Sequence, residues 1–315
     1  MIEVSIQGCW HSGVVWDTRT CRHQRSSSGQ LTAVRQGSFG GHPWPWLPIN
    51  VPRCQMANLH SFAVTGPGGC DVLPNLMSSD FVLVAGPLVR ASSWEPTAKH
   101  LREAGCCVQV PDILAHRASP PAWSAWTQDL LRHITSSRGL IVVGHSSASI
   151  LAADLATKLL ARSVIVVDGE VPPSHGAASP VRPALRDLVE SLAEADGSLP
   201  IWSRWFSGDA RRMSLVGLDV LARDPAAFTH FENELPKMHA EWFDDTIALA
   251  NWDHIPAGYI QTSAIYDHAA AEAERRGWPV TRLQGTHLHP TLHPQETADA
   301  ILAMSRRIVS SSLDP

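Results

Sequence analysis

The segment Leu140–Leu159, LIVVGHSSASILAADLATKL, decides the fold of this chain. Its first four residues are apolar, and three of them are Ile or Val, as in a buried strand. Small residues follow from Gly144 to Ala148, and apolar side chains then recur at helical spacing from Ile150. A strand, a sharp turn that carries a serine and a helix form the G-x-S-x-G arrangement known as a nucleophile elbow. The pattern therefore predicts that Ser146 is an exposed nucleophile.

The small residues beside this serine have a physical purpose in such a turn. Gly144 and Ala148 leave room for the backbone to reverse sharply between strand and helix. The N–H of Ser147 begins the predicted helix, where it can donate to a negative charge that forms beside Ser146. The alternative is a structural serine in a Gly- and Ala-rich turn, but the flanking strand and helix favour the catalytic interpretation.

Composition limits the class of protein. A chain of 315 residues can hold one large domain or two small ones, and an apolar content of 44% is sufficient for a core. The net charge is −5 and only three of the 25 basic residues are Lys, which argues against a nucleic-acid or anionic-membrane partner. No apolar run approaches the roughly 18 to 20 residues of a membrane span, and no signal peptide is visible. A cytoplasmic location is therefore expected.

The N-terminal segment differs from the remainder. Residues 1–76 contain only three acidic side chains, no Lys and four of the six cysteines. Three interpretations are open: a flexible extension, a targeting peptide, or a segment outside the natural protein, with translation beginning at Met77. The last is favoured because Met77 immediately precedes the first good strand. We expect residues 1–76 to be a disordered or non-native extension and residues 77–315 to form the functional domain.

From Ser79 onwards, strands and helices alternate. Strands separated by helices of this length indicate βαβ units and a parallel sheet, with the active groups at the carboxyl ends of the strands. The predicted strands are 81–85, 107–110, 140–143, 163–168, 258–263 and 280–283, and the predicted helices are 94–104, 123–134, 148–161, 267–276 and 296–308.

Residues 171–256 interrupt this alternation. The segment is punctuated by Pro and predicted to be mainly helical, with helices over 183–195, 209–223 and 227–235. We interpret it as a cap inserted over the sheet edge. Two or three of its aromatic rings should line the inner face of the cap. The candidates are Trp202, Trp205, Phe206, Trp242, Phe243 and Trp252.

The chain from Ser79 to its end resembles the α/β-hydrolase superfamily, in particular the small esterases and hydroxynitrile lyases and uncharacterised bacterial hydrolases of that type. Four stretches carry the resemblance: FVLVAGPLVRASSWEP, LIVVGHSSAS, VIVVDGEVPP and RRGWPVTRLQGTHLHP. The resemblance implies an α/β fold with a mostly parallel sheet, flanking helices and a helical cap insertion.

The resemblance also implies catalytic roles for individual residues. Ser146 would be the nucleophile and His287 the general base, on the loop after the last strand. The acid that orients the imidazole is ambiguous: Asp267 follows the penultimate strand, the usual position, whereas Asp168 ends the strand next to the elbow. Asp168 is slightly favoured. The nearby His289 and His293 raise the alternative of a metal site, which is disfavoured because no Cys or carboxylate is placed to complete a tetrahedral set.

One departure from the family pattern concerns the oxyanion hole. In the family, the residue after the Gly that ends the first core strand donates its N–H to the oxyanion. Gly86 matches that Gly, but the next residue is Pro87, which has no N–H. Ser147 and a displaced donor at Leu88 would then form the hole. Losing one donor typically reduces the rate about 10²-fold or more.

Three functions follow as hypotheses. The first is a serine hydrolase of the carboxylesterase or thioesterase type that cleaves a small, largely apolar ester and needs no cofactor or metal. The second is a lyase or isomerase on the same triad, and the third is a non-catalytic ligand-binding protein. The expected partner is a small-molecule substrate, with no nucleic acid and no membrane, and a homodimer is open as the assembly state.

Overall fold

The computed structural model describes residues 80–112, 123–135 and 139–311, together with four short strands nearer the N terminus. These four strands pair as antiparallel couples, β1 with β2 and β3 with β4. They belong to a compact unit of their own, Met1–Asp71, and the second unit is Val72–Pro315. The remainder of residues 1–76 lies outside the described residues, as does the proposed start at Met77. The strands are β1 (Arg22–Arg25), β2 (Leu31–Val34), β3 (Ser38–Phe39) and β4 (His42–Pro43).

Six strands of the second unit form one sheet in the order β12-β11-β8-β7-β5-β6, and every neighbouring pair is parallel. The predicted parallel sheet is thus confirmed, with strand ends within two residues of the predicted ones. The strands of this unit are β5 (Asp80–Val84), β6 (Cys107–Gln109), β7 (Ile141–His145), β8 (Ser163–Val167), β9 (Gly176–Ala178), β10 (Ile247–Leu249), β11 (Ala257–Gln261) and β12 (Val280–Arg282).

Helices cover the sheet and form most of the cap. The best-buried one is α3, in which the first nine residues are buried because it packs directly against the central strands. Within the described ranges there are also four short 3-10 segments: Ala91–Trp94, Trp202–Arg204, Ala240–Phe243 and Ala264–Tyr266. The helices are α1 (Glu95–Glu103), α2 (Trp123–His133), α3 (Ala148–Leu159), α4 (Pro183–Leu192), α5 (Ala210–Val216), α6 (Leu218–Leu221), α7 (Pro225–Glu234), α8 (Asp267–Arg275), α9 (His289–Leu292) and α10 (Pro294–Ser311).

The cap lies between β8 and β11, as predicted, and comprises α4 to α7 with the antiparallel pair β9 and β10. The sequence predicted one helix over 209–223, but the structure divides it into α5 and α6 at Gly217. Gly217 has φ 93° and caps α5 in the left-handed conformation. A side chain there would also collide with Thr286. The small pair β9–β10 was not predicted.

The topology determines where the functional loops meet. In a parallel sheet the carboxyl ends of all strands lie at the same edge. Because β8 lies between β7 and β11, the segments that follow these three strands are neighbours at that edge. The segment after β5 approaches β7 from the other side. The loop after β7 is therefore the centre of the edge.

Candidate active site

The turn after β7 has the geometry of a nucleophile elbow. Ser146 has φ 58°, a left-handed conformation that costs an ordinary residue about 1–2 kcal/mol. Its N–H donates to Val167 O at 3.1 Å, which anchors the turn to the adjacent strand. Gly144 is required for close packing, since a Cβ there would lie 2.6 Å from the carbonyl oxygen of Ala148. Gly169 is equally constrained, because its Cβ would collide with the backbone of Ser146.

His287 lies beside this serine on the loop after β12. Its Nε2 is 3.1 Å from Ser146 Oγ. Two backbone bonds to the cap hold the loop: His287 N–H donates to Leu215 O at 3.1 Å, and Leu288 N–H donates to Val216 O at 3.0 Å. The cap therefore fixes the position of the imidazole.

The carboxylate that reaches this imidazole is Asp168, which lies 2.8 Å from His287 Nδ1 through its Oδ2. Its Oδ1 accepts from the N–H groups of Thr262 and Ser263, both at 2.9 Å, and the Ser263 hydroxyl donates to Oδ2 at 2.6 Å. Burial acts to raise the pKa of Asp168, but the bond and charge of His287 and these donors outweigh it and lower the pKa. The carboxylate is thus held charged inside the protein.

Asp267, the other candidate acid, has a different environment. It is the first residue of α8, where its carboxylate accepts from Gln261 Nε2. The 3-10 segment Ala264–Tyr266 leads directly into this helix and leaves no loop to carry the side chain to the imidazole. The structure therefore brings Asp168, and not Asp267, to the far nitrogen of His287.

The loop after β5 faces the serine from the opposite side. A Cβ added to Gly86 would lie 3.3 Å from Ser146 Cβ, so the loop after β5 and the turn of Ser146 are in close contact. Val89 N–H donates to Gly86 O at 3.3 Å, which leaves Pro87 and Leu88 at the tip of a turn. Leu88 and Ser147, the two residues predicted for the oxyanion hole, both border the cavity at the serine.

A cavity of about 420 Å³ opens above the serine. Its wall is mainly apolar and includes Trp202 and Phe206, two of the cap aromatics that were expected to line it. Leu185, Leu188 and Ile265 add aliphatic surface. The charged side chains at its border are Glu170, Arg182 and Arg212. The cavity suits a small ligand with an apolar body.

Two residues of the site were missed by sequence reasoning. His145 is buried, and its Nε2 donates to His287 O at 3.0 Å. Burial, followed by the charge of His287, lowers the pKa of His145 to about 3, so its ring is neutral. Tyr266 stacks on His287 with centroids 5.5 Å apart. The position of His145 beside Ser146 was a usable signal, whereas only the folded arrangement places Tyr266 here.

The described residues contain neither a metal-binding cluster nor a membrane-spanning helix. There, no group of three or more His, Cys, Asp or Glu side chains is arranged to hold a metal ion. His289 is buried. The centroid of its ring lies 4.6 Å from that of His293, and its Nε2 lies 3.2 Å from Glu296 Oε2. Of the helices in the described ranges, none has the length and apolar character needed to cross a membrane.

Comparisons with known proteins agree with this architecture. A family model described as "Alpha/beta hydrolase family" matches residues 81–300. None of the curated proteins matches the chain. An extracellular alpha/beta-hydrolase from a Paenibacillus species, described as sharing structural and functional homology with tobacco Salicylic Acid Binding Protein 2, is a similar solved structure. Its identity is 17% and its TM-score 0.57, with 72% of this chain and 98% of that chain covered.

Two further solved structures are similar to this chain. Polyneuridine aldehyde esterase is 14% identical with a TM-score of 0.54, and the match covers 73% of this chain and all (100%) of that chain. Tomato Methylketone Synthase I is 14% identical with a TM-score of 0.59, covering 74% and 99% of the two chains. At such identities the likeness shows the fold, and it confirms the predicted parallel sheet with flanking helices.

Proposed function

The chain belongs to the alpha/beta hydrolase family, and from this premise we propose that it is a serine hydrolase that cleaves a small, largely apolar ester or thioester. The observation that carries the proposal is the continuous hydrogen-bond relay from Ser146 through His287 to Asp168. This is the arrangement by which an imidazole activates a hydroxyl for attack on a carbonyl. The apolar cavity above the serine supports the substrate class.

In the proposed reaction, Ser146 Oγ attacks the ester carbonyl while its proton passes to His287 Nε2. The imidazolium is stabilised by Asp168, which accepts from Nδ1–H and remains charged. His287 then gives the proton to the leaving oxygen, and an acyl-enzyme forms on Ser146. A water molecule, deprotonated by His287, attacks the acyl carbon, and collapse of that intermediate returns the proton to Ser146. None of these steps calls for a cofactor.

The oxyanion of each tetrahedral intermediate requires donors on the side of the serine that faces β5. We assign this role to the N–H groups of Ser147 and Leu88, since both residues border the cavity beside Ser146. Pro87 occupies the usual donor position and has no N–H to contribute. We therefore expect Leu88, the next residue of that turn, to replace it.

Labelling with a fluorophosphonate tests this function directly, because the probe reacts with an activated serine. We expect the protein to be labelled at Ser146 and the Ser146→Ala variant to be unlabelled. The matched control is Ser147→Ala, which removes the adjacent hydroxyl but retains the backbone N–H, and it should still be labelled. Labelling that persists in Ser146→Ala would contradict the assignment. The same labelling on a chain that begins at Met77 tests our proposal that residues 1–76 are dispensable.

Pro87 favours one alternative function, a lyase or isomerase that uses His287 as acid and base without an acyl-enzyme. Such chemistry places less demand on a two-donor oxyanion hole. The two functions differ in their response to activated esters. Background rates across a panel of p-nitrophenyl esters, with the protein folded, would favour the lyase or isomerase, whereas hydrolysis that depends on Ser146 would exclude it.

A further inference from the structure

Tyr266 lies beside both Ser146 and His287. It ends the 3-10 segment after β11, and its side chain is buried but still borders the cavity. Its ring lies nearly parallel to that of His287, with an interplanar angle of 27° and centroids 5.5 Å apart. Its hydroxyl is close enough to the side chain of Ser146 for the serine to influence the pKa of the tyrosine. No role has been given to this residue in the relay.

The groups around Ser146 decide whether the Tyr266 hydroxyl can act as a donor or as a base at this site. The Ser146 hydroxyl donates its proton towards His287 Nε2, 3.1 Å away, and its oxygen is then free to accept. Burial raises the pKa of Tyr266 well above its ordinary value, so the phenol keeps its proton. Tyr266 is consequently a donor at this site and not a base.

The strand order places this donor on a definite side of the serine. Tyr266 follows β11, which lies beyond β8, whereas Leu88 follows β5 on the other flank of β7. Tyr266 therefore approaches Ser146 from the side of His287, on which its ring is stacked, and not from the side of Leu88. His287 Nε2 must deliver its proton to the leaving oxygen from this same side.

We propose that Tyr266 is a catalytic residue whose hydroxyl donates a hydrogen bond to the leaving oxygen of the substrate, beside His287 Nε2. This inference rests on the proposed serine hydrolase function. As the bond between the acyl carbon and the leaving oxygen breaks, its electron pair goes to that oxygen. His287 supplies the proton, and Tyr266 keeps its own proton while its hydrogen bond offsets the developing charge.

This role identifies the substrate class more closely. A nitrophenolate delocalises its negative charge and leaves readily without a hydrogen-bond donor. An alkoxide is much more basic, so it requires a donor as the bond to the acyl carbon breaks. A site with two donors on the leaving side is suited to esters of simple, unactivated alcohols. We therefore assign alkyl esters with an apolar acyl group as the preferred substrates.

The test compares the protein with Tyr266→Phe, which retains the ring on His287 and removes only the hydroxyl. The substrates share one acyl group and carry p-nitrophenol, phenol, trifluoroethanol or ethanol as the leaving group. We expect kcat/KM of the variant to fall about 10- to 100-fold for the ethyl ester, the typical effect of one hydrogen bond to a charged group. The p-nitrophenyl ester should change by less than about 3-fold.

Tyr259→Phe is the matched control. Tyr259 is also a buried tyrosine, but its hydroxyl donates to Gly169 O at 2.7 Å and it does not border the cavity. In Tyr259→Phe, kcat/KM should depend on the leaving group in the same way as in the unmodified protein. Thermal unfolding of both variants checks that they are folded.

The outcomes separate the two proposals. An equal loss across the series in Tyr266→Phe, or no loss, would overturn the role of Tyr266 and leave the serine hydrolase intact. If the unmodified protein hydrolysed none of the esters, or Ser146→Ala hydrolysed them equally well, the proposed function itself would fail, and this inference with it.

Discussion

The backbone conformation of Asp168 explains why it, among the carboxylates of this edge, reaches the imidazole. The residue directly follows β8 and has φ 44°, a left-handed conformation that is costly for a residue with a Cβ. In this conformation its carboxylate receives the N–H groups of Thr262 and Ser263 as well as His287 Nδ1. The hydrogen bonds to a charged acceptor offset the strain of the backbone.

A pair of isosteric variants distinguishes the two candidate acids. Asp168→Asn should lower kcat roughly 10⁴-fold, because an amide cannot hold the imidazole in the required tautomer or stabilise the imidazolium. Asp267→Asn should change kcat by less than about 3-fold, since its remaining carbonyl oxygen can still accept from Gln261. The kcat of both variants is measured by steady-state hydrolysis of an ester that the unmodified protein cleaves. A large loss in Asp267→Asn together with a small loss in Asp168→Asn would reverse the assignment.

The sequence predicts some residues of the candidate site better than others. Ser146 and His287 belong to local patterns, a sharp turn after a strand and the loop after the last strand, and both were predicted. The choice between Asp168 and Asp267 depends on which carboxylate faces Nδ1, which is a matter of tertiary geometry. Tyr266 has no local signal, because its stacking on His287 arises only when the loops after β11 and β12 are brought together.

Helix α3 ends at a residue that is poorly suited to its backbone conformation and its exposure. Leu160 caps the helix with φ 51° and ψ 47° and is 86% exposed. Glycine is the usual residue in this conformation because it lacks a Cβ. The leucine thus combines a strained backbone with an apolar side chain in water.

We expect Leu160→Gly to raise the free energy of unfolding by about 0.5–1 kcal/mol. Relief of the left-handed strain contributes about 1–2 kcal/mol, and the greater flexibility of glycine in the unfolded chain removes part of it. Leu159→Gly, one residue earlier, is the matched control. It should lower stability by about 1 kcal/mol or more, because Leu159 is helical and packs against the core. Urea unfolding followed by circular dichroism measures both, and destabilisation by the two variants alike would contradict the argument.

Prediction of elements was reliable where the hydrophobic pattern was long and failed where contacts across the fold decided the outcome. The core strands were placed to within two residues and the helices around them to within three. The division between α5 and α6 was missed because Gly217 is needed to accommodate Thr286, a residue distant in sequence. The strands β9 and β10 have only three residues each, GAA and IAL, which are too short and too poor in β-branched residues to be recognised.

For the domain as a whole, the cap is part of the catalytic architecture as well as a wall of the cavity. Its α5 supplies the carbonyls of Leu215 and Val216 that hold the loop of His287, and Trp202 meets the His287 ring edge-on at 6.3 Å. The sheet supplies Ser146 and Asp168 from adjacent strands. The relay therefore combines residues at the sheet edge with a histidine loop that the cap helps to hold.

The stability of the domain should depend on pH because this assembly buries a neutral histidine. Burial and the neighbouring His287 lower the pKa of His145 to about 3, against roughly 6.5 for a histidine in an unfolded chain. Between these values the unfolded chain binds a proton that the folded chain excludes. The stability that this group contributes is complete above pH 6.5 and is lost as the pH falls towards 3.

Measuring the free energy of unfolding in urea from pH 7 to pH 4 tests this expectation. The contribution of His145 should appear as a slope of up to about 1.4 kcal/mol per pH unit. His145→Gln, which can still donate to His287 O but does not titrate, should make the slope shallower by that amount. His254→Gln replaces an exposed histidine, so its slope should match that of the unmodified protein. An unchanged slope in His145→Gln would mean that His145 takes up its proton equally readily in the folded and unfolded chains, contrary to its buried position against Trp94 and His287.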